Sequence, residues 1–139
     1  MRLYKRRRRG GNRGNYVIRI VLAIGDHSPD AKGEQTMALQ LRPNCEFCDK
    51  DLAPNALDAR ICSYECTFCA DCVEQKLFNV CPNCGGGFAP RPIRPAKAWR
   101  PGVSAAKQPP SETRAQLKYG PDEIAAHSAR IRNIPPEER

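Results

Sequence analysis

Cys45-Glu-Phe-Cys48, thirteen residues, Cys62-Ser-Tyr-Glu-Cys66-Thr-Phe-Cys69-Ala-Asp-Cys72, eight residues, and Cys81-Pro-Asn-Cys84: this stretch holds all eight cysteines of a 139-residue chain. A segment of about forty residues buries too little apolar surface to offset its conformational entropy, so it normally needs disulfides or metal. Its flanks decide between the two. The apolar run Tyr16–Ile24 follows a basic start, as in a secretory signal, but Arg19 interrupts it and Gly25-Asp-His-Ser-Pro29 offers no small-residue cleavage site. No stretch approaches the roughly 20 apolar residues that span a bilayer. The expectation is therefore a cytoplasmic chain with no membrane partner. In that compartment repeated C-x2-C pairs read as metal ligands rather than disulfide halves.

Zinc takes four tetrahedral ligands, and a C-x2-C knuckle brings two thiolates to one ion through a tight turn. Eight cysteines supply two complete zinc sites and leave no coordination position for water, which marks structural rather than catalytic metal. Both histidines, His27 and His127, lie outside the cluster, which favours all-thiolate ligation. Ser63 and Ser128 have no His/Asp arrangement nearby, and no phosphate-cradling glycine motif is present. Gly85–Gly87 read as turn residues closing the last knuckle. These features point away from an enzyme and from a small-molecule substrate.

The charge is unevenly distributed. Residues 1–36 carry nine Lys and Arg against three Asp and Glu, a net +6; residues 37–88 carry four against seven, −3; residues 89–139 carry ten against five, +5. The cysteine module is thus acidic, and four thiolates outweigh one divalent ion. Phosphate binding would fall to the tails. Asp49, Asp51, Asp58, Glu65, Asp71 and Glu74 read first as a solvated surface and second as an acidic face for a basic partner.

Four regions follow. Residues 1–36, with Lys5-Arg-Arg-Arg-Arg9, read as a disordered basic extension. Lys32-Gly33-Glu34 can be encoded by a purine-rich ribosome-binding sequence just ahead of Met37, so translation is expected to start at Met37. Residues 37–88 form the zinc module. Within it, Ala38–Arg42 alternates like an edge strand ending at Pro43. Residues 49–61 make a loop with Leu52, Leu57 and Ile61 facing inward, and Val73–Asn79 a short helix with Val73 and Leu77 on one face. Residues 89–120, rich in Pro and Arg and holding the single tryptophan, Trp99, read as an extended linker. Residues 121–132 read as a short helix, with Pro121 at N1, acids in the first turn and Ile124 and Ile131 on one face. His127 reads as a surface residue.

The cysteine spacing resembles the cross-brace of RING-type zinc domains. That resemblance implies one ion on Cys45, Cys48, Cys69 and Cys72 and another on Cys62, Cys66, Cys81 and Cys84. The alternative is a tandem zinc ribbon, with Cys45, Cys48, Cys62 and Cys66 on one ion and the remaining four on the other. Phe47 and Pro82 match positions that line the RING family's groove for ubiquitin-conjugating enzymes, but Gly85 stands where those ligases commonly carry a basic residue. Leu41-Arg-Pro-Asn-Cys-Glu-Phe-Cys-Asp-Lys-Asp-Leu52, Asp58-Ala-Arg-Ile-Cys-Ser-Tyr-Glu-Cys-Thr-Phe-Cys-Ala-Asp-Cys72 and Cys81-Pro-Asn-Cys-Gly-Gly86 more closely resemble a bacterial family of small cysteine-rich proteins of unknown function, DUF1272. Its members typically begin near the equivalent of Met37, and the resemblance implies zinc binding without an activity. The expected fold is a small metal-stabilised α+β module flanked by disordered tails. Its expected role is contact with a protein partner through Phe47, Leu52, Pro82 and Trp99. Nucleic-acid binding through the basic tails and a RING-like ligase role stand behind that reading.

Overall fold

The computed structural model, which describes residues 38–139, is built on a short hairpin. Strands β1 (Ala59–Ile61) and β2 (Thr67–Cys69) pair antiparallel, with Ala59 opposite Cys69 and Ile61 opposite Thr67. Thr67 and Phe68 are residue types that suit a half-buried pleated surface. The connecting turn carries Cys62 and Cys66: Cys62 N donates to Cys66 O at 3.2 Å and Glu65 N to Cys62 O at 3.0 Å. Strand β3 (Ala89–Pro90) lines the other edge of β1, giving the order β2-β1-β3. A proline is tolerated there because an edge residue need not donate to the ladder.

Helix α1 (Ala70–Gln75) starts directly after β2, with Cys69 at its N-cap and Cys72 on its buried side. It begins three residues and ends four residues earlier than the expected Val73–Asn79, although Val73 and Leu77 are both buried as expected. The helix cannot run on, because Phe78 (φ 49°) and Asn79 (φ 58°) adopt left-handed backbone. Asn79 tolerates that conformation better than most residues, and its Oδ1 accepts Phe88 N at 2.8 Å. Asn79→Ala is expected to cost about 1–2 kcal/mol, from the left-handed strain and the lost hydrogen bond. Asn79→Gly should cost less, since glycine adopts this conformation freely. Thermal unfolding of the metal-loaded variants checks the order; an alanine variant as stable as the glycine one would contradict it.

The core holds Phe68, Leu52, Val73, Leu77 and Ile124 together with six cysteines. Phe68 is fully buried and meets Phe88 edge-on, with ring centroids 5.2 Å apart. Leu52 faces inward as expected. Leu57 does not: it is 82% exposed, because residues 57–58 turn the chain outward before β1 begins. Ile61 is partly buried and belongs to β1 rather than to a loop.

Residues 38–42 form no strand, because their carbonyls are used elsewhere. Leu41 O accepts Ser111 N at 2.9 Å, Arg42 O accepts Arg91 Nη1 at 2.8 Å, and Leu39 O accepts Arg94. Those partners come from residues 91–117, which run back across the module. Arg114 reaches Asp49 at 2.9 Å and Asp51 at 2.7 Å, and Ala115 N donates to Asn44 Oδ1 at 3.1 Å. Pro-rich composition favours extended backbone, and here the interleaved arginines and backbone amides tie that backbone to carbonyls and carboxylates of the module. Helix α2 (Pro121–Ile131) follows, with Pro121 at its start, Gly120 N bonded to Glu123 Oε2 at 3.1 Å, and Asp122 and Glu123 in its first turn. Ile124 enters the core and Ser128 Oγ donates to Leu77 O at 2.9 Å, while Ile131 is partly buried. Among the described residues no helix is long and apolar enough to cross a membrane. The basic extension of residues 1–36 and the start at Met37 lie outside the described residues.

Candidate metal centre

The first and last cysteine pairs sit on matching turns. Asp49 N donates to Cys45 O at 2.9 Å and Cys45 N to Lys50 O at 2.8 Å; Gly85 N donates to Cys81 O and Cys81 N to Gly86 O, both at 2.8 Å. Each turn needs one left-handed residue just after its second cysteine, supplied by Asp49 (φ 63°) and by Gly85 (φ 78°). Glycine at position 85 meets that requirement without the strain that a Cβ adds and that Asp49 carries in the first turn. Cys62 and Cys66 lie on the hairpin turn, and Cys69 and Cys72 at the start of α1.

These four local devices interleave. The sulfurs of Cys45, Cys48, Cys69 and Cys72 all lie within 4.8 Å of one another, and Cys48 Sγ is 3.8 Å from Cys69 Sγ. The sulfurs of Cys62, Cys81 and Cys84 form a second group by the same measure. Cys66 stands outside this mutual grouping; its sulfur accepts Asn83 Nδ2 at 3.4 Å. All eight cysteines are free of disulfides. His127 belongs to neither group. It is half-buried on α2, and its Nε2 is a buried atom without a hydrogen-bond partner among the described residues.

The thiols of each group are electrostatically unequal. Burial pushes Cys45 and Cys72 up, while Cys48, although burial also opposes its charge, is drawn down by the Lys50 backbone and the neighbouring thiols. In the second group the hydrogen bond from Cys81, helped by Asn83 and Cys62, holds Cys66 down to about 6. Burial pushes Cys62 up to about 11, and the bond to Cys66 followed by burial raises Cys81. Such differences arise because clustered negative charge is costly without a cation. Further donors point at the sulfurs: Tyr64 N to Cys62 and Gly86 N to Cys84, each at 3.4 Å. Such bonds orient ligands and stabilise thiolates. This is a donor set suited to soft divalent ions.

Of the expected contact residues, Leu52 is wholly inside and Pro82 is buried, so neither offers surface, which corrects that reading. Phe47 is half-buried and packs on the core, whereas Trp99 is 80% exposed. Two residues the cysteine pattern leaves unmarked also matter. Glu46, buried inside the first knuckle, accepts Thr67 N at 2.9 Å and pairs with Arg42; Asn83, inside the last, donates to Cys66 Sγ at 3.4 Å. Their only signal in sequence is their place between paired ligands.

A family model described as "Protein of unknown function (DUF1272)" matches residues 38–94, the span that holds every cysteine. An uncharacterized protein of Rhizobium meliloti (strain 1021) is 54% identical over 80 residues, which are 58% of this chain and 87% of that relative. No solved structure matches.

Proposed function

The chain belongs to the DUF1272 family of proteins of unknown function, and we propose that it is a non-enzymatic, zinc-held module that binds a protein partner. Zinc bound by four thiolates at about 2.3 Å has tetrahedral edges of about 3.8 Å, and the Cys48–Cys69 separation of 3.8 Å fits that figure. Two ions in a cross-brace would be held by Cys45, Cys48, Cys69 and Cys72 and by Cys62, Cys81 and Cys84 completed by Cys66. Zinc there supplies structural crosslinks rather than a reactive water, because each site fills with sulfur.

The observation that carries the contact role is the loop that follows β3. Arg94, bonded to Leu39 O and Gln108 O, anchors it, and Ala105 N donates to Pro95 O at 2.8 Å to close it. Trp99 at 80%, Val103 at 53% and nearby Ile93 at 49% exposure stand on this segment, with Lys97, Arg100 and Lys107 also exposed. Residues 75–111 contain no Asp or Glu. A preformed loop presenting tryptophan beside arginine has the features of an interface hot spot. Its charge suits a protein with an acidic rim around an apolar pocket.

Trp99→Ala is expected to leave thermal stability within about 0.5 kcal/mol of the parent, as for other exposed positions, while abolishing partner binding. Photo-crosslinking in cells from a benzoylphenylalanine in place of Trp99 should give protein adducts that Arg100→Glu suppresses. Adducts to nucleic acid, or protein adducts indifferent to Arg100→Glu, would sink the reading.

A further inference from the structure

We propose that Glu46 and Asn83 couple the two cysteine groups, so that metal held by one strengthens metal binding at the other. The inference rests on the reading that both groups take up metal. Glu46 lies between Cys45 and Cys48, and Asn83 between Cys81 and Cys84. Glu46 N donates to Thr67 O and Glu46 Oε1 accepts Thr67 N, each at 2.9 Å, so Glu46 grips both backbone groups of the residue after Cys66. Glu46 Oε2 accepts Asn83 Nδ2 at 3.3 Å, and the same nitrogen donates to Cys66 Sγ at 3.4 Å. An amide nitrogen has two protons, and both are committed, one to each group's territory.

The position of Cys66 gives this bridge its consequence. The sulfurs of Cys62, Cys81 and Cys84 already lie together, and in the proposed cross-brace Cys66 is the thiol whose placement completes the set. Its next residue, Thr67, is fastened to Glu46 of the other group's knuckle, and its sulfur accepts from Asn83, whose amide Glu46 also holds. Arg42 steadies the Glu46 carboxylate further, and Leu117 N holds the Glu46 backbone by donating to its carbonyl O at 3.1 Å. Metal on Cys45 and Cys48 fixes the turn that carries Glu46, and through Asn83 and Thr67 it places Cys66. Linkage is reciprocal, so metal on the second group favours the first by the same factor. Glu46 and Asn83 are positioning residues here; neither is a ligand.

Native mass spectrometry of the full chain, titrated with Cd(II) under reducing conditions, reads this directly as the populations with zero, one and two metals. The parent protein should pass to the two-metal form with little one-metal intermediate. In Asn83→Ala and Glu46→Gln the intermediate should accumulate, the second step weakening about 10–100-fold relative to the first, in the range of other residues that orient ligands. Cadmium-113 NMR of the intermediate should show the Cys45, Cys48, Cys69, Cys72 group filled. Glu46→Gln keeps an acceptor for Thr67 N while presenting an amide to Asn83, so it tests the bridge even where Asn83→Ala does not fold. An unchanged ratio of the two steps, or equal weakening of both, overturns the coupling. Absence of cadmium uptake by the parent protein would instead overturn the metal reading beneath it.

Discussion

Stripping metal from the full chain under reducing conditions is expected to unfold residues 38–139. The three strands have three, three and two residues, and the helix among them has six. Six of the twelve residues in the core cluster are cysteines. Removing the ions would therefore leave half of that core as thiols whose mutual contacts no longer hold the knuckles together. Structural zinc sites contribute roughly 10–16 kcal/mol of apparent binding energy at neutral pH, comparable with or above the roughly 5–15 kcal/mol stability of whole domains. Amide dispersion in NMR spectra should collapse on adding chelator and return on adding zinc. Acid should do the same, since ligands must be thiolates and protons compete for them. Retention of native dispersion in excess chelator would show that the apolar core suffices alone.

The cysteine spacing made the module and its compact size legible, because ligand geometry constrains short turns more tightly than side-chain burial does. The hairpin is hidden in the sequence for a related reason: Cys62 and Cys66 turn the chain, and strands of three residues are too short to display alternation. Leu57 misled because apolar character alone does not say which way a turn faces. Residues 89–117 are the least legible stretch. Proline-rich, arginine-rich composition describes an extended backbone equally well whether it leaves the module or lies along it. The difference rests on carbonyls of Leu39, Arg42, Leu52 and Ala53 that composition does not reveal.

Arg91 is the residue on which that return depends most, and Arg91→Ala is expected to destabilise the metal-loaded protein by about 3–5 kcal/mol. The residue is buried, its Nη1 donates to Arg42 O at 2.8 Å, and its Nη2 donates to Ala53 O at 2.6 Å and Leu52 O at 3.4 Å. Its own N–H extends the sheet by bonding Ala59 O at 2.9 Å. Among the described residues no carboxylate bonds the guanidinium; three carbonyls solvate the cation, and burial draws its pKa below the ordinary arginine value. Carbonyl dipoles offset that desolvation only while the planar fork meets them together. Truncation removes the donors and leaves buried acceptors unpaired, each worth roughly 1–3 kcal/mol. Lysine should not rescue the loss, because a single ammonium cannot span carbonyls from positions 42, 52 and 53 as a guanidinium does. Thermal unfolding of Arg91→Ala, Arg91→Lys and the parent, all saturated with zinc, measures this. The expected signature goes beyond a lowered midpoint: faster amide exchange at Leu52, which donates to Pro43 O at 2.8 Å, and at Ser111, which donates to Leu41 O. Those are the amides that pin residues 38–43 and the returning chain. A lysine variant as stable as the parent would show that charge alone, rather than the fork, holds the segment in place.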